Sequence, residues 1–219
     1  MSKILNIGIL INNFIIRSWE YSAIHRIHDV DHTRISLIIN YKDNSEKKNQ
    51  KTDYPLPFIL HKHIDGKIFS GSRNNSSRKD LGELLKDVPV VEINSCENQK
   101  SEYQSINDVD QIRQYNLDII IKLGYGFIKG EILKVPGYGV WSYSINHFQS
   151  EDEDMTGYYE VIRNRPVTVS ELGVINEDGE KYNVLNRVVE SACPYSVSLN
   201  RDAIFARAPF LLPAVLEGI

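Results

Sequence analysis

Apolar residues run almost unbroken over 4–11 (ILNIGILI), return at Trp19, Ala23, Ile24 and Ile27 with helical spacing, and run again over 35–39 (ISLII). A strand buried on both faces needs no polar alternation, so this pattern predicts strand, helix, strand: the parallel βαβ unit of an α/β protein. Residues 40–79 are rich in Asn, Ser, Lys and Asp and predict a long loop with no defined element. Order resumes with a predicted helix over 79–85, a strand over 88–93 and a second polar loop through Tyr103. Ser105 and Asp108 have capping-box spacing for a helix with Ile106, Val109 and Ile112 on one face. Residues 117–123 (LDIIIKL), apolar at five of seven positions, predict a third buried strand, and it leads straight into Gly124-Tyr125-Gly126.

A short helix over 130–134 and a strand over 138–144 follow. Residues 156–162 are expected to be helical, 167–175 (VTVSELGVI) and 182–189 extended, and 202–216 helical with Pro209 and Pro213 kinking or breaking the helix. The expected fold is therefore α/β, a mostly parallel sheet with helices on both faces, in one domain over 1–219. Open sheets of this kind bind ligands at the carboxyl ends of their strands, so residues 124–127 and 142–148 should share one rim. The chain closes on Leu211, Leu212, Val215, Leu216 and Ile219. Such an apolar stripe predicts a cover, either a second subunit in a homodimer or a downstream domain of a larger protein.

Composition narrows the function classes. With 42% hydrophobic and 25% charged residues the chain is an ordinary globular one, and a net charge of -4 supplies no positive field for nucleic acid. Two cysteines, Cys96 and Cys193, form neither a disulfide framework nor a zinc motif. Asn6, Asn12 and Asn13 interrupt the N-terminal apolar run 4–16, which is then too short and polar for a membrane span or a signal segment. The expected setting is cytoplasmic, with no membrane and no nucleic acid as partner.

Candidate chemistry is sparse. His25 and His28 are three residues apart and His32 is near, a spacing open to metal binding, but without a companion acid or cysteine a solvated helix face is the plainer reading and no metal is expected. His61-Lys-His63 is weaker still. The acidic run 151–154 (Glu-Asp-Glu-Asp) reads either as a hard-cation or cationic-substrate site or, more plainly, as a solvated loop. Gly124, Tyr125, Gly126 and Phe127 would let backbone amides approach a planar or anionic ligand, although a lone Gly-x-Gly is also ordinary turn chemistry.

The order of elements, with "LDIIIKLGYGFIKGEILKVPGYGVWSY" (117–143), resembles the folate-dependent formyltransferase superfamily. "ILNIGILINNFIIRSWEYSAIHRI" (4–27) is similar to the opening strand, tryptophan and first helix of its branch of large formyltransferase-domain proteins, and "SVSLNRDAIFARAPFLL" (196–212) is a weaker echo. The resemblance implies a Rossmann-like fold, N10-formyltetrahydrofolate bound near Tyr125-Gly126, and N-formyl transfer to a small-molecule amine or amino sugar. That chemistry needs an oxyanion donor, a base for the amine proton and an acid to orient the base. Counted without gaps to the shared Gly157-Tyr158-Tyr159-Glu160, the family's Asn position falls on Ser142 and its His position on Ser144. Both are replaced, so the resemblance implies a degenerate site. A serine can still donate a hydrogen bond, but it has no pKa near neutrality and cannot act unaided as the base. Asn146 and His147 are the nearest substitutes, and Asp178 stands near the family's Asp position, where a plain turn residue is the alternative. A non-catalytic ligand-binding or structural domain of a glycan-modifying protein remains the other reading.

Overall fold

The computed structural model describes residues 3–42, 56–69, 77–94, 103–105, 109–124, 127–145, 156–177, 179 and 182–219. In chain order the strands are β1 (Leu5–Ile11), β2 (Ile15–Arg17), β3 (Thr33–Lys42), β4 (Arg78–Asp80), β5 (Val90–Asn94), β6 (Tyr103–Ser105), β7 (Ile119–Lys122), β8 (Phe127–Lys129), β9 (Val140–Ile145), β10 (Val167–Ile175) and β11 (Tyr182–Ser191). The α-helices are α1 (Ser18–His25), α2 (Leu56–Phe69), α3 (Leu81–Leu84), α4 (Asp110–Arg113), α5 (Tyr158–Ile162), α6 (Val197–Arg207) and α7 (Leu211–Leu216).

Seven strands make one sheet in the order β11-β10-β9-β7-β1-β3-β5. The five strands from β9 to β5 run parallel, and β10 and β11 add an antiparallel edge. Alternation along β1 sends Ile7, Ile9 and Ile11 to one face and Leu10 to the other. Each face meets its own layer. Ala23 and Ile24 of α1, Leu81 of α3 and Leu211, Leu212 and Leu216 of α7 pack on the first. Ile112 of α4, with Ile132 and Leu133 of the 3-10 helix Glu131–Lys134, packs on the second. The expected α/β class, mostly parallel sheet and two helical layers are all present. No described helix is long and apolar enough to cross a membrane.

Three expectations are corrected. The loop expected over 40–79 contains a 14-residue helix, α2. Among its described side chains Ile59, Leu60, Ile64 and Ile68 are exposed, and a polar residue, Asp65, is the buried one, so apolar spacing does not mark the docked face. Asp65 Oδ2 accepts hydrogen bonds from the backbone N–H and the hydroxyl of Ser198, at 2.7 and 2.6 Å. His61 and His63 therefore belong to a helix rather than a loop.

The capping-box helix also differs: Ser105 ends β6, α4 begins at Asp110, and 106–108 lie outside the described residues. Finally, the closing apolar stripe, expected to lie open until covered, is for the most part already buried. Leu211, Leu212 and Leu216 are buried against α1 and the sheet of this same domain, leaving Ile219 half exposed. Pro209 lies in the 3-10 turn Ala208–Phe210 that separates α6 from α7, as its missing N–H and fixed φ favour.

Candidate functional site

The chain leaves β1 toward β3 and β5, then returns to place β7 on β1's other side. In sheets of this kind ligands usually lie at such a switch point, beyond the carboxyl ends of the strands, here β1 and β7. Gly124 lies there, next to Asn12, with φ +79, a left-handed conformation that glycine adopts without strain. The first residue of the Gly-Tyr-Gly turn is thus bent by backbone conformation, in an open position.

Two ionisable side chains grip that residue. Glu20 stands in the first turn of α1, and one of its oxygens accepts from Arg17 N at 3.0 Å, tying the carboxylate to the helix start. The other accepts from Gly124 N, also at 3.0 Å. Lys122, the last residue of β7, donates from Nζ to Gly124 O at 3.0 Å. Burial pushes the Lys122 ammonium down to about 8, against the opposing pull of the Glu20 charge. A charge is costly so far from water, and a carboxylate nearby offsets part of that cost.

Beside this clamp runs a row of buried polar groups. Lys122 is in register with Ser142 on β9, which is paired with Gly173 on β10. Ser144 lies two residues further, opposite Glu171. Strand alternation puts Ser142 and Ser144 on one face, and cross-strand pairing puts Glu171 there too. Ser142 Oγ donates to Tyr143 O at 3.4 Å, a weak bond, and Ser144 Oγ has no hydrogen-bond partner among the described residues. The Glu171 carboxylate is buried, with the Arg187 guanidinium 3.8 Å away.

The opposite face of β9 is aromatic. Trp19 meets the Tyr143 ring edge-on at 5.1 Å and stacks on Phe205 at 5.6 Å, with the Arg17 guanidinium over the far ring at 5.2 Å. Burial drives the Tyr143 phenol above its ordinary range, so it remains a neutral hydroxyl. Next to this wall, Gly157 caps α5 with φ +84, and a Cβ there would come within 2.7 Å of Val197 O on α6. Asn200 closes the junction, donating to Gly157 O and Cys193 O and accepting from Cys193 N.

The structure thus brings together Gly124, Ser142 and Ser144 from the sequence expectation, and Phe127 opens β8 just beyond the turn. Tyr125, Gly126, Asn146, His147 and Asp178 lie outside the described residues, as does the acidic run 151–154. Glu20, Lys122 and Glu171 escaped the sequence reading. Lys122 stands inside the apolar stretch 119–123, a pattern that marks a strand but not a role for the lysine. Among the described residues no three His, Cys, Asp or Glu side chains converge on a metal position. His32 instead bonds the carbonyl of Leu216 at 2.8 Å. A cleft of about 470 Å³ lies at the opposite, amino-terminal end of the sheet, lined by Lys3, Asn6, Arg113, Asp118 and neighbours. Its charges are internally paired, Lys3 with Asp118 and Arg113 with Glu131.

Solved structures of this shape have one theme. The chain superposes on phosphoribosylglycinamide formyltransferase from Bacillus halodurans with a TM-score of 0.62 at 12% identity, covering 97% of this chain and 94% of that one. Glycinamide ribonucleotide transformylase 1 from Geobacillus kaustophilus gives 0.60 at 11%, covering 98% of both chains. Formyltetrahydrofolate deformylase from Burkholderia mallei gives 0.54 at 8%, covering 99% of this chain and 64% of that one. The chain has the formyltransferase fold. No protein-family model matches this formyltransferase-fold chain, and no curated protein matches it by sequence.

Proposed function

We propose that this formyltransferase-like protein binds N10-formyltetrahydrofolate at the rim formed by Gly124, Tyr125, Gly126 and Phe127 and transfers its formyl group to the amine of a small acceptor such as an amino sugar. The observation that supports this most is the coincidence of two independent features. The fold matches formyltransferases over nearly the whole chain, and the serine row ends beside the Gly124 turn at the switch point. In the transfer, the acceptor nitrogen attacks the formyl carbon, and as the tetrahedral oxyanion collapses the C–N bond to the folate breaks, the proton lost by the amine passing by way of the base to the departing folate nitrogen. Ser142 or Asn146 is assigned to donate to that oxyanion, and His147 or a group of the acceptor to take the proton, with Asp178 as its orienting acid.

A second reading is favoured by Ser144. A buried hydroxyl at the position of the family's base, without a partner among the described residues, fits a domain that kept the pocket and lost the reaction. Calorimetric titration of a stable N10-formyltetrahydrofolate analogue separates the cases. Micromolar binding that Tyr125→Ala abolishes supports a folate site, and formylation of an amine acceptor that His147→Ala removes supports the transferase. Binding without turnover across an amino-sugar panel favours the non-catalytic domain. No binding at millimolar analogue overturns the folate assignment.

A further inference from the structure

We propose that Lys122 is a positioning residue for the rim: with Glu20 it clamps Gly124 from opposite sides of one peptide residue, and its protonation sets how firmly Gly124 is held for a ligand bound beside it. The inference rests on the folate reading for the identity of the ligand, and on geometry alone for the clamp.

The geometry is unusual in its economy. Gly124 has one N–H and one carbonyl, and each is held by a charged side chain, the N–H by Glu20 Oε1 and the carbonyl by Lys122 Nζ, both at 3.0 Å. A residue with φ +79 and no side chain has little else to fix it, so these two bonds hold Gly124 in place beyond the end of β7. The two holders come from separate layers, Glu20 from α1 and Lys122 from β7, which makes the turn report on both. On the neighbouring strands Lys122 faces Leu10 of β1 and Ser142 of β9, and among the described residues Glu20 is the charged group that acts on it. A methionine or leucine here would suit the apolar strand better. A cation kept at a cost, on the rim and bonded to a turn, is more naturally explained by the turn than by the core.

Proton loss changes the clamp. A neutral amine is a weaker donor to Gly124 O and no longer attracts the Glu20 carboxylate, so the turn loosens as pH rises through the Lys122 transition, near 8. The test follows the Gly124 amide of the ¹⁵N-labelled full chain by NMR from pH 6 to 10, and measures the Kd of 5-formyltetrahydrofolate at pH 6.5 and 9. The Gly124 resonance should titrate with a midpoint near 8, stay flat in Lys122→Met, and shift its midpoint to lower pH in Glu20→Gln, which keeps an acceptor but removes the charge. The probe should bind wild type at least fivefold more weakly at pH 9 than at pH 6.5, and bind Lys122→Met at the high-pH value throughout. A flat Gly124 resonance in folded wild type, or Lys122→Met binding as wild type does at pH 6.5, overturns the proposal. Absence of probe binding by wild type overturns the folate reading instead, and the Gly124 titration then decides the clamp by itself.

Discussion

Lys122 and Glu160 are both buried ionisable groups, and their pH signatures run in opposite windows. Burial lowers Lys122 to about 8, so between that value and the unfolded 10.5 the unfolded chain holds more protons than the native one. Stability therefore rises with pH across this window, by about 3 kcal/mol in all, and the gain is absent below it. Lys122→Met should remove that slope and raise stability at pH 7 by about 1–2 kcal/mol, the desolvation saved outweighing the unsatisfied Gly124 carbonyl. Urea unfolding at pH 7 and 10 checks both. Glu160, on α5 near Thr168, is pushed upward by burial against weaker hydrogen bonds. Its native form keeps a proton that the unfolded chain releases, so stability falls as pH rises above 4.5 and through the raised value. Glu160→Gln should flatten that fall without changing the plateau below pH 4. Neither group was legible in sequence as a titrating one. A lysine in an apolar run and a glutamate after two tyrosines announce burial only once the elements around them are placed.

At the scale of elements, legibility followed what each element buries. β1, β3 and β7 were readable because apolar residues cover both their faces, a signal that survives without knowledge of partners, whereas β9 and β10 mix apolar residues with the buried Ser142, Ser144, Ser170 and Glu171. α2 was not readable: among its described side chains the buried one is Asp65, which docks it on α6. Charge-assisted bonds to the Ser198 N–H and hydroxyl, at the N-terminal turn of an 11-residue helix capped by Ser196, also favour the carboxylate through the helix dipole. Asp65→Ala removes both bonds and leaves the Ser198 donors to find water. The expected result is a loss of about 1–3 kcal/mol and faster amide exchange along α2, with the amides of β1 and β7 still protected. Equal loss of protection in β1 would mean α2 is part of the central cooperative unit rather than a layer docked on it. The candidate site divides in the same way. Gly124 was singled out by strand order and the switch-point rule and Ser142 and Ser144 by the family resemblance, whereas Glu20 and Glu171 reach the rim through a helix start and an antiparallel pairing, neither of which leaves a local pattern.

For the whole molecule, the decisive correction concerns how the domain closes. Read as sequence, the closing residues looked like a surface awaiting a partner; in the fold they are the lid of one hydrophobic layer. α7 lies over α1 and the sheet, His32 at the start of β3 bonds its last carbonyl, and Leu211, Leu212 and Leu216 complete the layer formed by Ile7, Ile9, Ile11 and Ile121. An apolar stripe is the same in sequence whether it folds back or binds a neighbour, so only topology distinguishes them. The energetic weight of this closure is large. Full burial of a leucine is worth roughly 1.5–3 kcal/mol, so the three together hold about 5–9 kcal/mol, against a net stability for a domain of about 5–15 kcal/mol. Deleting 209–219 should therefore abolish the cooperative thermal transition and leave a compact, dye-binding state with native-like far-UV dichroism. Leu212→Ala, a gentler cut, should cost about 2–5 kcal/mol and keep the transition cooperative. If the deletion instead melted cooperatively within a few degrees of the full chain, the sheet face under α7 would have to be closed by something else, and a second copy covering it would show as a rise in molar mass on light scattering.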